Sequence, residues 1–200
     1  MNNLRYITKK YGLNQKSDRL ELPGGRGGGG LASLWAELGF KTGAEIGVES
    51  GRYSATICKT NPDVKLYCID AWEAYDGYRE HVSSEQMEVL YQDTVRRVEP
   101  YNCEVIRAFS LDAAKKFKDK SLDFVYIDSN HDFGHVSEDI EHWIRKIRPG
   151  GTICGHDYNS SKVGATNEVM DAVDSYVAIH KIKPFFIWEG DSARSWMWLV

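Results

Sequence analysis

The feature that most constrains this chain is an alternation of short apolar runs with stretches of helical spacing. Apolar runs lie at 44–48, 64–70, 103–108, 122–128 and 152–157. Between them, apolar residues recur every three or four positions. In 83–98 these are Met87, Leu90, Tyr91, Thr94 and Val98. In the next long stretch they are Phe133, Val136, Ile140, Trp143, Ile144 and Ile147. Such spacing predicts helices with one buried stripe. Shorter helices are predicted over 31–39, 52–60, 112–117 and 167–180. The run 122–128 is apolar almost throughout, as suits a strand covered on both faces. Five strand–helix repeats predict a parallel sheet with right-handed crossovers. The closing runs, PFFIWEG and RSWMWLV, are joined by a short turn near Gly190-Asp191. A connection that short cannot make a parallel crossover, so these two strands must be antiparallel. The expectation is a doubly wound, Rossmann-like α/β sheet, mostly parallel and seven-stranded, with an antiparallel hairpin at its C-terminal end.

Two hundred residues suit one domain with a substantial core. The glycine-rich stretch LPGGRGGGG, from Leu22 to Gly30, divides the chain into an N-terminal segment with its loop, 1–30, and a main domain, 31–200. A phosphate-binding P-loop needs a strand before it and Lys-Ser/Thr after it. Here a polar segment precedes and Leu31 follows, so a flexible hinge or loop is the simpler reading. The segment 1–22 is free to pack on the body, cap the site or support dimer formation.

With 42% hydrophobic and 27% charged residues, the composition is that of a folded protein. A net charge of −4 and a pI near 5.9 disfavour a protein that coats nucleic acid. No apolar run approaches the ~18 residues of a membrane span, and MNNLRYITKKYG has no secretory core. A cytoplasmic location is expected. Cys58, Cys68, Cys103 and Cys154 form no CxxC pair and read as reduced thiols, three of them inside strand-like runs.

In open α/β sheets ligands bind at the carboxyl ends of the strands, near the reversal in strand order. The first strand-to-helix turn is AEIGVESGRYSATI. Gly47 and Gly51 allow close backbone approach. The nicotinamide fingerprint G-x-G-x-x-G fails, because position 49 is Glu and position 52 is Arg. A carboxylate at Glu49 opposes a pyrophosphate, yet it sits well beside a sulfonium and an ammonium group.

The segment FVYIDSNHDFGHVSEDIEHWIRKIRPGGTICGHDY, 124–158, resembles the signature block of the class I methyltransferases related to the macrocin-type sugar O-methyltransferases (methyltransferase domain family 24). That block runs from an acid ending the fourth strand, through a nearby histidine and an amphipathic helix ending in Pro-Gly-Gly, to a His-Asp-Tyr-like tail. The sheet with its terminal hairpin is also the architecture of that class. With AEIGVESGRYS the resemblance covers about half the chain. It implies S-adenosylmethionine (SAM) as cofactor.

Within that frame Glu45 can accept from the methionine amine and Ser54 can meet the methionine carboxylate. Asp70 ends the second strand, where an acid can bind both ribose hydroxyls, and Trp72 can pack against adenine or ribose. Ser110, just past the third strand, joins the cofactor candidates, as does Asp128.

Methyl transfer to an alcohol needs an in-line sulfonium methyl, loss of the acceptor proton and exclusion of water. Asp128 and Asp157 end adjacent strands and should face one mouth. The resemblance implies that these acids hold a divalent metal and that His131 serves as base. An unperturbed imidazole pKa of about 6.5 suits that work. Hard carboxylate oxygens suit Mg²⁺. Where relatives often carry a second oxygen ligand this chain has His156, a better ligand for Mn²⁺, Fe²⁺ or Zn²⁺. His131 and His135 stand four apart, but HExxH is absent and Gly134 interrupts, so zinc is disfavoured. His142 reads as surface. Tyr53, Tyr75, Tyr78 and Tyr158, with the loops 75–84 and 159–166, are candidate walls for the acceptor.

The function expected is SAM-dependent O-methylation of a small polyhydroxylated acceptor, such as a sugar or glycoside, with Mg²⁺ or another divalent metal as a possible aid. Alternatives are N-, C- or macromolecule-directed methylation, and a non-catalytic SAM-binding module. The absence of an N/D-P-P-Y motif after the fourth run, which reads IDSNHDF, counts against base N-methylation. A homo-oligomer is compatible with the chain.

Overall fold

Residues 124–127 alternate between two packed layers, and that alternation organises the molecule. Phe124 and Tyr126 point into one core, Val125 and Ile127 into the other, and all four are buried. This is the period-two pattern of a strand with helices on both faces. The computed structural model describes residues 2–14, 17–27, 29–74, 83–159 and 168–200.

The elements run α1 (Asn3–Lys10), β1 (Arg19–Leu22), α2 (Leu31–Glu37), β2 (Thr42–Ile46), α3 (Arg52–Thr60), β3 (Lys65–Asp70), α4 (Ser84–Val98) and β4 (Cys103–Arg107). There follow α5 (Ser110–Ala114), β5 (Leu122–Ile127), α6 (Phe133–Trp143), β6 (Ile147–Gly155), α7 (Glu168–His180), β7 (Phe185–Trp188) and β8 (Ser195–Leu199). The sheet order is β1-β7-β8-β6-β5-β2-β3-β4. β8 is antiparallel to both neighbours and the remaining pairings are parallel. The strand order reverses between β2 and β5, so their carboxyl ends open a crevice.

The doubly wound sheet and its terminal hairpin are as expected, but there are eight strands where seven were predicted. The extra strand is β1, paired in parallel with β7 from Arg19↔Phe185 to Leu22↔Trp188. Only Leu20 and Leu22 of this strand are buried, and four residues of mixed polarity gave too short a pattern to read. The long stripe also needed correction. α6 ends at Trp143 and a 3₁₀ turn covers Ile144–Lys146, while Ile147 opens β6 opposite Leu122. Pro149 cannot continue a helix, and the chain bulges before Phe124↔Thr152 restores the pairing. The short helix predicted over 112–117 lies at Ser110–Ala114 instead.

One layer contains α2 and α3, with Trp35 as its anchor. The Trp35 ring stacks on Phe124 at 3.9 Å, and its Nε1 donates to the Thr152 hydroxyl at 3.0 Å. The other layer contains α5, α6 and α7, where Val136, Ile140 and Trp143 cover Val125 and Ile127. Among the described residues no helix is long and apolar enough to cross a membrane. The cysteines of the described residues are free, and Cys58 and Cys103 place their sulfurs 3.4 Å apart.

Trp35→Ala removes a fully buried indole and the N–H that the Thr152 hydroxyl accepts from it. It should lower the unfolding free energy by about 3–5 kcal/mol. Urea denaturation followed by circular dichroism measures this, and a loss under about 1 kcal/mol, the scale of a surface substitution, would contradict the packing described.

Candidate active site

The turn after β2 is built by backbone contact before any ligand is considered. Gly47 donates to the Ile69 carbonyl at 2.9 Å, and Asp128 donates its N–H to the Ile46 carbonyl at 2.7 Å. Gly47 has φ +83°, and a Cβ there would lie 2.0 Å from the Asp128 carbonyl oxygen. No other residue fits without moving the end of β5. Gly51 caps α3 at φ +71°, facing Thr94 of α4. The glycines thus admit neighbouring backbone and side chains of the protein itself.

Asp70, the last residue of β3, secures this turn. Its Oδ2 accepts from the N–H groups of Val48 and Glu49, both at 2.9 Å, and its Oδ1 accepts from Trp72 at 2.9 Å. Burial pushes its pKa up even though three donors favour the anion. Trp72 is buried, donates Nε1 to the Glu49 carbonyl at 2.7 Å and packs edge-on against Tyr91. Glu49, Trp72 and Asp157 all have positive φ, at 54°, 43° and 55°. Non-glycine residues seldom adopt that region, and such strain concentrates at functional turns.

A cavity of about 780 Å³ opens over these strand ends. Glu45, Gly47, Asp70, Trp72, Ser110, Asp128 and His131 line it, as do Arg26, Glu49 and Tyr53. Glu45 is 2% exposed and accepts from Ser54, which lies behind it and is fully buried. Burial, countered in part by the Ser54 hydroxyl, pushes Glu45 up to about 8. Ser54 and Gly51 therefore support the cavity without facing it. At the far end, Ser110 donates to Asp139 and accepts from the Trp143 indole at 2.8 Å. Ser129 donates to the other Asp139 oxygen at 2.6 Å, and burial raises that acid's pKa.

The predicted reaction residues meet at the near end. His131 Nε2 lies 3.4 Å from Asp128 Oδ1 and 3.3 Å from Asp157 Oδ2. His156 Nδ1 lies 3.7 Å from Asp128 Oδ2 and 3.4 Å from Asp157 Oδ2. Burial alone would raise Asp157, but the hydrogen bond from His156 and the nearby His156, His131 and Arg26 charges outweigh it and hold the carboxyl low. One ligand atom each from Asp128, His131 and Asp157 falls within 4.8 Å of the others, a spacing that a divalent cation could bridge. The two carboxylates, with the imidazoles of His131 and His156 beside them, make a donor set suited to Mn²⁺ or a similar borderline ion, or to Mg²⁺ with added water.

Arg26 was missed by sequence reasoning. Its guanidinium bonds Asp128 Oδ2 at 2.8 Å and lies 5.2 Å from the centre of the Tyr53 ring. Burial works against its charge, but Tyr126 and Asp128 more than compensate and keep it cationic. The loop carrying it is tied at both faces. The Asp191 carboxylate accepts the Arg26 N–H at 2.6 Å, and the Arg26 carbonyl accepts from Tyr53 Oη at 2.9 Å. The clue was a lone cation inside a glycine run, although nothing in the sequence pointed that run at the sheet. Tyr158 departs from its predicted role. It is fully buried, donates to Asp174 and packs on Phe185, so it belongs to the core. His135 pairs with the cap residue Asp132, and His142 lies exposed on α6. Tyr75, Tyr78 and most of the loops 75–84 and 159–166 lie outside the described residues.

A doubly wound sheet with an antiparallel β8, an acid ending β3 and a glycine turn over the strand crevice defines a class I SAM-dependent methyltransferase. The chain belongs to the methyltransferase-domain family, whose profile matches residues 44–158, more than half its length. The fold is shared with a putative caffeoyl-CoA O-methyltransferase of Staphylococcus aureus (TM-score 0.63, 13% identity, 85% of this chain and 81% of that one). It is shared too with the O-methyltransferase TomG of Streptomyces achromogenes, involved in tomaymycin synthesis and solved with SAM (0.61, 14%, 85% and 78%). An O-methyltransferase of Bacillus cereus solved with SAH is also similar (0.60, 13%, 99% and 87%). No curated protein sequence matches the chain.

The raised Glu45 carboxyl gives a pH test. Its folded pKa, about 8, stands above the ordinary 4.5, so the unfolded chain loses the proton first. Native stability should then fall as pH rises from about 4.5 towards 8, by a few kcal/mol at most. Glu45→Gln should flatten that part of the profile. Urea unfolding at pH 5 and pH 8.5 compares the two, and identical slopes would contradict the assignment.

Proposed function

We propose that the protein transfers the methyl group of SAM to a hydroxyl of a small polyhydroxylated acceptor, such as a sugar or glycoside. The observation that carries this reading is the meeting of Asp128, His131 and Asp157 beside the cavity, whose wall includes Asp128 and His131. Asp70, Trp72 and Ser110 stand at the nucleoside end, and Glu45 and Gly47 at the methionine end. Asp70 has spare lone pairs for a ribose hydroxyl, since a carboxylate offers about four acceptor sites and three are used.

The acceptor oxygen attacks the sulfonium methyl in line. The C–O bond forms as the C–S bond breaks, and the electron pair of that bond stays on sulfur, leaving S-adenosylhomocysteine. The acceptor proton passes to the His131 imidazole. Asp128 and Asp157 flank that ring and stabilise its protonated form. His131 lines the cavity, whereas His156 is 11% exposed and sits behind the acid pair. We therefore assign His131 to the proton, and Asp128, Asp157 and His156 to a divalent metal. Such an ion, when bound, lowers the pKa of the acceptor hydroxyl. The acid pair and His156 would hold it.

Isothermal titration with SAM tests the first half, and no binding at high micromolar concentration would sink the reading. With labelled SAM and a panel of sugars and glycosides, His131→Ala should cut kcat by about 10²–10⁴-fold while SAM affinity is kept. A polyamine or nucleic acid accepting the label in place of any hydroxyl compound would favour the other acceptor classes. Chelation by EDTA should lower turnover, with Mn²⁺ or Mg²⁺ restoring it, and Asp157→Ala should abolish the metal stimulation. Unchanged turnover in EDTA would remove the metal from the scheme.

A further inference from the structure

An α-amino acid carries its ammonium and its carboxylate on one carbon, so its receptor needs an anion and a cation side by side. Arg26 supplies the cation. It stands beside two acids, bonding Asp128 directly and lying close enough to Glu45 to favour that group's charged form. We infer that Arg26, carried by the glycine-rich loop, binds the methionine carboxylate of SAM; this rests on the cofactor reading above.

The loop is shaped to hold that residue. Gly24 and Gly29 have φ +85° and +83°. A Cβ on Gly25 would strike the Asp191 carboxylate at 2.1 Å, and one on Gly30 would lie 1.7 Å from the Gly25 carbonyl oxygen. The repeated glycines therefore let the loop fold on itself and press against the β7–β8 hairpin, with Arg26 as its one side chain directed at the strand crevice. The Asp191 and Tyr53 contacts fix the Arg26 backbone on both sides. Its guanidinium, with five N–H donors, keeps further donors for a carboxylate after bonding Asp128.

The other cations on the cavity wall are less suited. Arg52 is exposed on the first turn of α3, and Lys115 is paired with Asp112 on α5 at the nucleoside end. The remaining charges at the methionine end are acids, which suit the ammonium and the sulfonium but repel a carboxylate. Without Arg26 the cofactor's one anionic group would face Glu49 and Asp128. Ser54, considered above for this role, is fully buried behind Glu45.

Decarboxylated SAM separates this role from a structural one, because it keeps the sulfonium, the amine and the adenosine. Binding of SAM, decarboxylated SAM and 5′-methylthioadenosine to the full chain is measured by titration calorimetry, for wild type, Arg26→Gln and Arg26→Lys. Wild type should prefer SAM over its decarboxylated form by about 10- to 100-fold, the worth of a charge-assisted pair. Arg26→Gln should collapse that preference towards unity by weakening SAM alone, and Arg26→Lys should keep part of it. Should Arg26→Gln fail to fold, Arg26→Lys carries the comparison by itself. Equal weakening of both ligands, or a wild type that does not discriminate, overturns the assignment and leaves the cofactor reading intact. Binding of none of the three ligands to wild type overturns both.

Discussion

The site depends on how closely the chain leaving β2 passes the end of β5. Ile46 accepts the Asp128 N–H, and Gly47 turns away with no room for a side chain above the Asp128 carbonyl. That single contact joins the glycine turn to Asp128. In the proposed mechanism it fixes the distance between the sulfonium and the proton acceptor. Asp70 extends the constraint to β3 by gathering three backbone N–H groups of the turn and of Trp72. Positioning of this kind must be rigid, since catalysis by orientation is lost with small displacements.

The electrostatics follow from the same geometry. Acids from the ends of β2, β3, β5 and β6 crowd one crevice and burial disfavours their charges, so Glu45 and Asp70 are shifted up. Asp157 goes the other way because histidines and Arg26 surround it. The same crevice thereby holds acids that burial shifts up and one, Asp157, that its cationic neighbours shift down. Paired titratable groups with opposite shifts are a recurrent sign of acid–base assignment.

Much of this was legible in the sequence, for physical reasons. Apolar alternation and helix spacing report burial directly, so the parallel strands and the long helices emerged from them. The acids ending β3, β5 and β6 were visible because strand ends in such sheets face one crevice. Ile147 misled because a buried residue at helical spacing can equally begin a strand. β1 was hidden by its four-residue length. Gly51 and Ser54 were placed near the cofactor by their position on the first strand-to-helix turn, but Gly51 makes room for Thr94 and Ser54 is buried behind Glu45, while Tyr158 lies in the core. Arg26 was illegible because its position depends on Asp191, 165 residues away. No local pattern encodes a contact of that span.

That span bears on how the protein acquires its site. The β1–β7 pairing and the Asp191 bond to Arg26 join the first thirty residues to the last twenty. During synthesis the glycine loop emerges 165 residues before the hairpin residue that seats it. Closing so long a loop costs entropy that only the finished sheet can offset. The crevice is therefore completed only after the β7–β8 hairpin has been made, and a nascent chain displays its glycine turn well before the loop carrying Arg26 can settle.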